Sequence, residues 1–205
     1  MNKILSLIIT IIVVQFSGFA QQIFEQEFFT FYLPTAIPNP LPTSCRVYLV
    51  ANTEGKYLLK IRPQDIYNCK EFNDFAESSV LTNKRIFLKF DNNEVFSLTC
   101  NYTEEIKDGF YTGNNGIYQQ YVVNSYFTVD DSLLSALQNH EIVKVRTELQ
   151  RGIIDGSLQF TQNSSIQKSK AKFLKAYEYA NKKIEDYKLN TRKQQILKDD
   201  PLFGF

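Results

Sequence analysis

The sequence predicts an α+β fold: an antiparallel β-sheet or sandwich of about seven strands with a short inserted helix and a long C-terminal amphipathic helix. Apolar residues alternate repeatedly between residues 45 and 165, as in half-buried strands. Asparagine and glycine interrupt the alternation where hairpin turns are expected. After residue 165 the apolar spacing becomes that of a helix. We therefore expect a β-rich domain at 45–165, a basic helix at 166–198 and a tail at 199–205.

The first 20 residues have the pattern of a secretory signal peptide. Lys3 gives a basic start, residues 4–14 are uncharged, and Gly18-Phe19-Ala20 supplies small residues before the expected cut. The uncharged run is shorter than the about 20 residues that a membrane-spanning helix needs. We expect a secreted or periplasmic protein without a transmembrane span in its mature form, with association with the cell envelope left open. A retained N-terminal anchor is the alternative.

Residues 21–44 are expected to be an aromatic N-terminal segment followed by a proline-rich connector. Prolines 34, 38, 40 and 42 exclude a helix there. The aromatic residues of the segment are Phe24, Phe28, Phe29, Phe31 and Tyr32.

Two β-hairpins are predicted next. In "CRVYLVANTEGKYLLKIRP" the apolar residues alternate on both sides of a turn at residues 52–55. In "KRIFLKFDNNEVFSLTC" they alternate around Asn92-Asn93, which can adopt the positive φ angles of a tight turn. A fifth strand is expected at about residues 118–129.

A short helix and a final strand pair follow. Asp130 or Asp131 is suited to the N-cap, and Asn139 to a left-handed residue at the C-terminal end, which places His140 at the helix exit. After it, Val143, Val145, Thr147 and Leu149 alternate with Lys144, Arg146 and Glu148, as in a half-exposed strand. Its expected partner contains Ile154, Leu158 and Phe160.

The segments "IFLKFDNNEVFSLTC" and "FTVDDSLLSALQNHEIVKVRTEL" resemble a pattern found in small secreted bacterial domains of unknown function. The pattern consists of a lysine-bearing hairpin, a capped short helix and a strand with alternating basic residues, and it covers residues 85–160. This resemblance implies a β-rich fold and no activity.

The C-terminal helix differs in charge from the rest of the chain. Residues 21–165 contain 12 basic and 17 acidic residues, whereas residues 166–198 contain 10 basic and 3 acidic residues. We expect the helix to pack on the domain up to about Ala180 and to offer a partner surface beyond it. Its apolar stripe is Ile166, Phe173, Tyr177, Ala180, Ile184 and Tyr187, and its partner-binding candidates are Lys182, Lys183, Lys188, Arg192 and Lys193.

No reaction is indicated by the sequence, and no catalytic residue is assigned. His140 is the single histidine, and Glu141 would project to the opposite face of a strand. Adjacent carboxylates occur at Glu104-Glu105 and Asp130-Asp131, whereas the two acids of a glycosidase face each other across the substrate. A small envelope hydrolase using paired carboxylates is the alternative, because such a pair can still form in three dimensions. One histidine and three scattered cysteines offer no metal-ligand spacing. We expect no cofactor, no metal and no nucleic acid.

The three cysteines are Cys45, Cys69 and Cys100. In an oxidising compartment we favour a disulfide between Cys69 and Cys100. Three reduced cysteines in or near the core are the alternative.

The segment "GFYTGNNGIYQQYVVNSYF" combines tyrosines with amides and glycines, a composition that provides rigid aromatic area and adaptable hydrogen bonds. It predicts a site for a glycan or a peptide; a connector whose tyrosines cover the sheet is the alternative. The best hypothesis for the whole chain is a secreted, non-catalytic binding or envelope-associated module, whose partner is a glycan, a peptide or an envelope protein. The ligand-binding candidates are Tyr111, Asn114, Asn115, Tyr118, Tyr121 and Tyr126.

Overall fold

A computed structural model of the chain describes residues 22–33, 43–68, 85–113, 116–149, 152–159 and 168–199. The fold is α+β, as predicted: within these ranges lie nine strands and two helices, so the expected number of strands was two too low. The predicted signal peptide and tail lie outside the described residues, apart from Asp199. The strands are β1 (Gln22–Leu33), β2 (Thr43–Asn52), β3 (Tyr57–Asn68), β4 (Arg85–Phe90), β5 (Val95–Thr99), β6 (Tyr102–Gly113), β7 (Gly116–Thr128), β8 (Ile142–Leu149) and β9 (Gly152–Gly156). The helices are α1 (Asp131–Asn139) and α2 (Ser169–Asp199).

The strands form two antiparallel sheets. The five-stranded sheet has the order β1-β2-β3-β7-β6, and the four-stranded sheet has the order β5-β4-β8-β9. Both predicted hairpins are confirmed: Leu49 lies opposite Leu59, and Ile86 lies opposite Leu98. In the second turn Asn93 adopts a φ of 70°, as its side-chain type allows.

The aromatic N-terminal segment is an edge strand of the five-stranded sheet. β1 pairs with β2 along its whole length, so this segment extends the five-stranded sheet. The register shifts between Glu27 and Phe29, which makes Phe28 an extra, bulged residue. Because of the bulge, Phe28, Phe29 and their neighbours are buried in succession and lack the alternation that would have revealed a strand.

The tyrosine-rich segment belongs to a further long hairpin, which is formed by strands β6 and β7. β7 confirms the fifth predicted strand, but β6, its partner, was not anticipated. Residues 109–113 and 116–127 are therefore strand and not a flexible connector, whereas Asn114 and Asn115 lie outside the described residues.

Around α1 the structure confirms the N-cap and corrects two details. The Asp130 side chain accepts a hydrogen bond from the Leu133 N–H at 2.8 Å. Asn139 is not left-handed; the chain leaves the helix through His140 in an extended conformation. In β8 the register shift beside Phe90 leaves Val143 44% exposed and buries Ile142 instead.

Helix α2 packs on β1, β2 and α1 with one face of its N-terminal half. The Phe173 ring meets the Phe28 ring edge-on, with centroids 5.2 Å apart. The neighbouring Leu174 is 40% exposed, because it lies on the outer side of the helix. Packing extends one turn beyond Ala180, and the buried apolar residues are Phe173, Ala176, Ala180 and Ile184.

Helix α2 projects beyond this point. All side chains described from Glu185 to Ile196 are exposed, including Tyr187, which was expected in the stripe. Ile166 lies outside the described residues. No described helix is long and apolar enough to span a membrane.

Candidate functional site

A row of polar and aromatic side chains crosses the outward face of the five-stranded sheet. Backbone register places Glu27 opposite Tyr48, Tyr48 opposite Lys60, Lys60 opposite Tyr126, and Tyr126 opposite Tyr102. The neighbouring positions of the same strands, such as Leu49, Leu59 and Phe127, are buried in the core. Because side chains alternate between faces, the row lies on the side of the sheet away from that core. We call these five residues, with Glu25, Glu104 and Asn124, the outward cluster.

Lys60 is the centre of the outward cluster, and only 6% of its surface is exposed. Its Nζ donates hydrogen bonds to both carboxylate oxygens of Glu25 at 2.8 Å. The Nζ also lies 5.6 Å from the Tyr48 ring centroid and 5.9 Å from that of Tyr126. A buried ammonium is costly unless it is paired, and these contacts provide the pairing.

Glu104 is the second carboxylate of the cluster. Its Oε2 accepts hydrogen bonds from the Tyr126 hydroxyl at 2.8 Å and from Asn124 Nδ2 at 3.1 Å. The Tyr102 ring stacks on the Tyr126 ring at 4.4 Å with an interplanar angle of 11°. This stack and the two hydrogen bonds hold the Glu104 carboxylate in place.

Glu104 and Tyr126 stay in opposite protonation states over the ordinary pH range. Burial alone would raise the pKa of Glu104, but the hydrogen bonds from Tyr126 and Asn124 and the charge of Lys60 hold that pKa below its usual value. Burial and the hydrogen bond to Glu104 raise the pKa of Tyr126 well above its usual value. The lowered pKa makes Glu104 poorly suited to act as a general acid.

One buried polar atom of the outward cluster has no hydrogen-bond partner among the described residues. Asn124 is fully buried, and among the described residues no donor reaches its Oδ1. An unsatisfied buried amide oxygen costs about 1–3 kcal/mol. Such groups are uncommon in a native fold.

Side-chain exposure separates the cluster into a floor and a contact surface. Lys60, Tyr126 and Asn124 are buried and form the floor. Tyr48 and Tyr102 are half-buried, and Glu104 and Glu27 are exposed. Tyr126, predicted to bind ligand, is only 4% exposed, so it positions Glu104 and Tyr102 from below and offers a ligand little direct surface.

The other ligand-binding candidates fall on β6 and β7 or outside the described residues. Tyr111 lies opposite Tyr118, and Tyr121 lies opposite Lys107, in backbone register. Nothing is described for the side chains of these three tyrosines, nor for Asn114 and Asn115. Their assignment to a ligand site stays a prediction.

The side chain of His140 links two elements of the fold. Its Nδ1 lies 2.9 Å from Asp91 Oδ1, so it joins the end of α1 to the β4–β5 turn. Glu141 turns elsewhere, as expected, and accepts hydrogen bonds from the Ser169 hydroxyl and the Lys170 N–H at 3.0 Å each. These bonds hold the first turn of α2. Within the described residues no hydroxyl or thiol hydrogen-bonds His140.

The adjacent carboxylates do not form acid pairs in the described part of the chain. Glu104 faces Tyr126, and Asp130 caps α1 while Asp131 lies in its first turn. Nothing is described for the side chain of Glu105. No group of three or more metal-binding side chains occurs among the described residues.

Cys100 is buried and carries a thiol that donates a hydrogen bond to the Tyr102 carbonyl oxygen at 3.3 Å. Cys45 is also buried. Cys69 lies outside the described residues, and its pairing with Cys100 stays a prediction.

The partner-binding candidates of α2 share one property, which is exposure to solvent. Lys182 and Lys183 flank the last packed turn, whereas Arg192 and Lys193 lie on the projecting half. Lys188 lies near the β2–β3 turn. Its Nζ is 3.8 Å from the position that a Cβ atom would occupy on Gly55. These residues are accessible, and their assignment to a partner stays a prediction.

No protein-family model, curated protein or solved structure matches this chain.

Proposed function

We propose that this chain is a secreted or periplasmic, non-catalytic binding module that holds a glycan against the contact surface of the outward cluster. The observation that carries the proposal is the row of tyrosines and charged groups across five strands, built over a floor in which Lys60 is buried and paired. A fold gains little stability from such an arrangement compared with apolar packing. The presence of this arrangement favours a role in recognition.

The chemistry of the contact surface suits a sugar. Pyranose rings present C–H faces that pack on aromatic rings, and tyrosine provides a rigid ring at low entropic cost. Sugar hydroxyls need both donors and acceptors. The exposed Glu104 carboxylate is an acceptor, and the Arg46 guanidinium, at the edge of the surface, is a donor. Arg46 Nε lies 3.9 Å from Glu27 Oε2 at the edge of this surface, where water screens the pair.

The alternative, a hydrolase using paired carboxylates, has less support. Glycosidases need one carboxyl with a raised pKa to protonate the leaving group. The pKa of Glu104 is lowered, and Glu25 is hydrogen-bonded to Lys60 through both oxygens. Neither carboxylate has the setting of a general acid.

An array of immobilised oligosaccharides and peptides tests the proposal. We expect oligosaccharide binding by the native chain that weakens about tenfold in Glu104→Gln, since a hydrogen bond to a charged group is worth about 1.5–3 kcal/mol. Tyr102→Ala should weaken the same signals. Thr99→Ala, an exposed change on the other sheet, is the matched control and should leave them unchanged. Binding of peptides alone, or equal loss in all three variants, would contradict the glycan proposal.

Envelope association is assigned to the projecting half of α2. Its lysines and arginine would attract an anionic surface, and that attraction is screened by salt. We expect the native chain to co-sediment with an envelope fraction at low ionic strength. Reversal of charge at Arg192 and Lys193 should reduce co-sedimentation, whereas the same change at Lys172, on the packed half, should not.

A further inference from the structure

The outward face of the four-stranded sheet contains a depression of about 390 Å³. All four strands contribute to its wall, which consists of Phe87, Lys89, Val95, Lys144, Arg146 and Ile153. It belongs to a different sheet from the outward cluster and shares no residue with it.

The positive charge of the depression is only partly neutralised. Lys89 lies directly opposite Lys144, a placement in which like charges repel each other. Asp155 forms ion pairs with two cations, with Arg146 Nε at 2.6 Å and Lys144 Nζ at 3.0 Å. Lys89 has no acidic partner within the described ranges.

The same depression exposes apolar surface. Val95 and Ile153 are each 58% exposed, although both belong to strands. Phe87 lies half-buried on the same face, with the guanidinium of Arg85 5.7 Å from its ring centroid. Apolar and cationic groups thus occur together in one concave surface.

We infer that this depression binds an acidic peptide segment that carries an aliphatic or aromatic side chain. A carboxylate of the peptide would bridge Lys89 and Lys144 and relieve their repulsion, while the apolar side chain would cover Val95, Phe87 and Ile153. A polysaccharide offers no apolar side chain for this surface. A bilayer would contact protruding groups, whereas a depression accepts an inserted side chain.

Fluorescence anisotropy tests the inference with a labelled synthetic peptide in which one phenylalanine is flanked by glutamates. We expect binding that weakens with salt and falls about tenfold in Lys89→Glu, in the range found for charge pairs at interfaces. Lys172→Glu, an exposed change of the same type on α2, is the control and should bind like the native chain. A matched peptide with serine in place of phenylalanine should bind more weakly.

Several results would overturn the inference. They are the absence of binding, equal binding by the native chain and Lys89→Glu, and equal binding of the phenylalanine and serine peptides. Binding to phosphatidylglycerol vesicles without binding to the peptide would assign the face to a membrane instead. Lys89→Ala, checked by circular dichroism, provides a second variant if Lys89→Glu does not fold.

Discussion

Lys60 and Glu25 form an ion pair on the outward face of the five-stranded sheet, with both carboxylate oxygens 2.8 Å from the ammonium nitrogen. The side chains of Lys60 and Glu25 are 7% and 24% exposed, so the pair is well shielded from water. It joins edge strand β1 to central strand β3 across β2. The pair therefore anchors an edge strand and also supports the tyrosines above it.

The first prediction concerns this pair. Glu25→Gln should lower the free energy of unfolding by about 3 kcal/mol, because it leaves a buried ammonium without its charge partner. Lys60→Met combined with Glu25→Gln should cost less than Glu25→Gln alone, since no unpaired charge remains. Urea denaturation of the single and double variants measures both. Equal stability of Glu25→Gln and the native chain would show that the pair contributes nothing.

The second prediction uses two adjacent residues of α2. Phe173→Ala should destabilise the protein by about 3–5 kcal/mol, because the ring is fully buried against Phe28. Leu174→Ala is the matched control, and its exposed side chain predicts a change of less than about 1 kcal/mol. Thermal denaturation of both variants distinguishes the packed face from the solvated one. Similar losses in the two variants would contradict the packing of α2.

The third prediction concerns the length of α2. A chain ending at Leu189 should keep the melting temperature of the full chain, because the described side chains that it lacks, at residues 190–196, are all exposed to solvent. A chain ending at Ala180 should be less stable, since it lacks Ile184. A chain ending at Ser165 should unfold or aggregate, because the apolar surface under Phe173, Ala176 and Ala180 becomes exposed. Equal melting temperatures for all four chains would refute self-packing.

The fourth prediction concerns pH. Hydrogen bonds from Arg146 and Lys144 lower the pKa of Asp155 from 3.8 to about 2. Because the folded pKa lies below the unfolded one, this contribution to stability is complete above about pH 4 and is lost as the pH falls toward 2. Carboxyl NMR should therefore give a titration midpoint near 2 for Asp155, and Arg146→Ala should move it toward 3.8. A native midpoint near 3.8 would show that the ion pairs do not form in solution.

Local features of the fold could be predicted from the sequence, whereas the outward cluster could not. The hairpins around residues 52–55 and 92–93 combine alternation with turn residues, so each could be predicted from its own segment. β1 escaped detection because the bulge at Phe28 breaks its alternation. Glu104, on β6, comes near Lys60 only because β7 lies beside β3, a crossover that no local pattern encodes. Of the predicted ligand residues, Tyr126 belongs to the cluster, as part of its floor.

Amide chemical shifts of the isotope-labelled protein, recorded with the strongest-binding oligosaccharide of the array, test most directly whether the outward cluster holds a glycan. We predict that the largest shifts occur at Tyr48, Lys60, Tyr102 and Glu104, on the outward face of the five-stranded sheet. Shifts that are absent there and concentrated around Lys89 and Lys144, or no shifts at all, would contradict it.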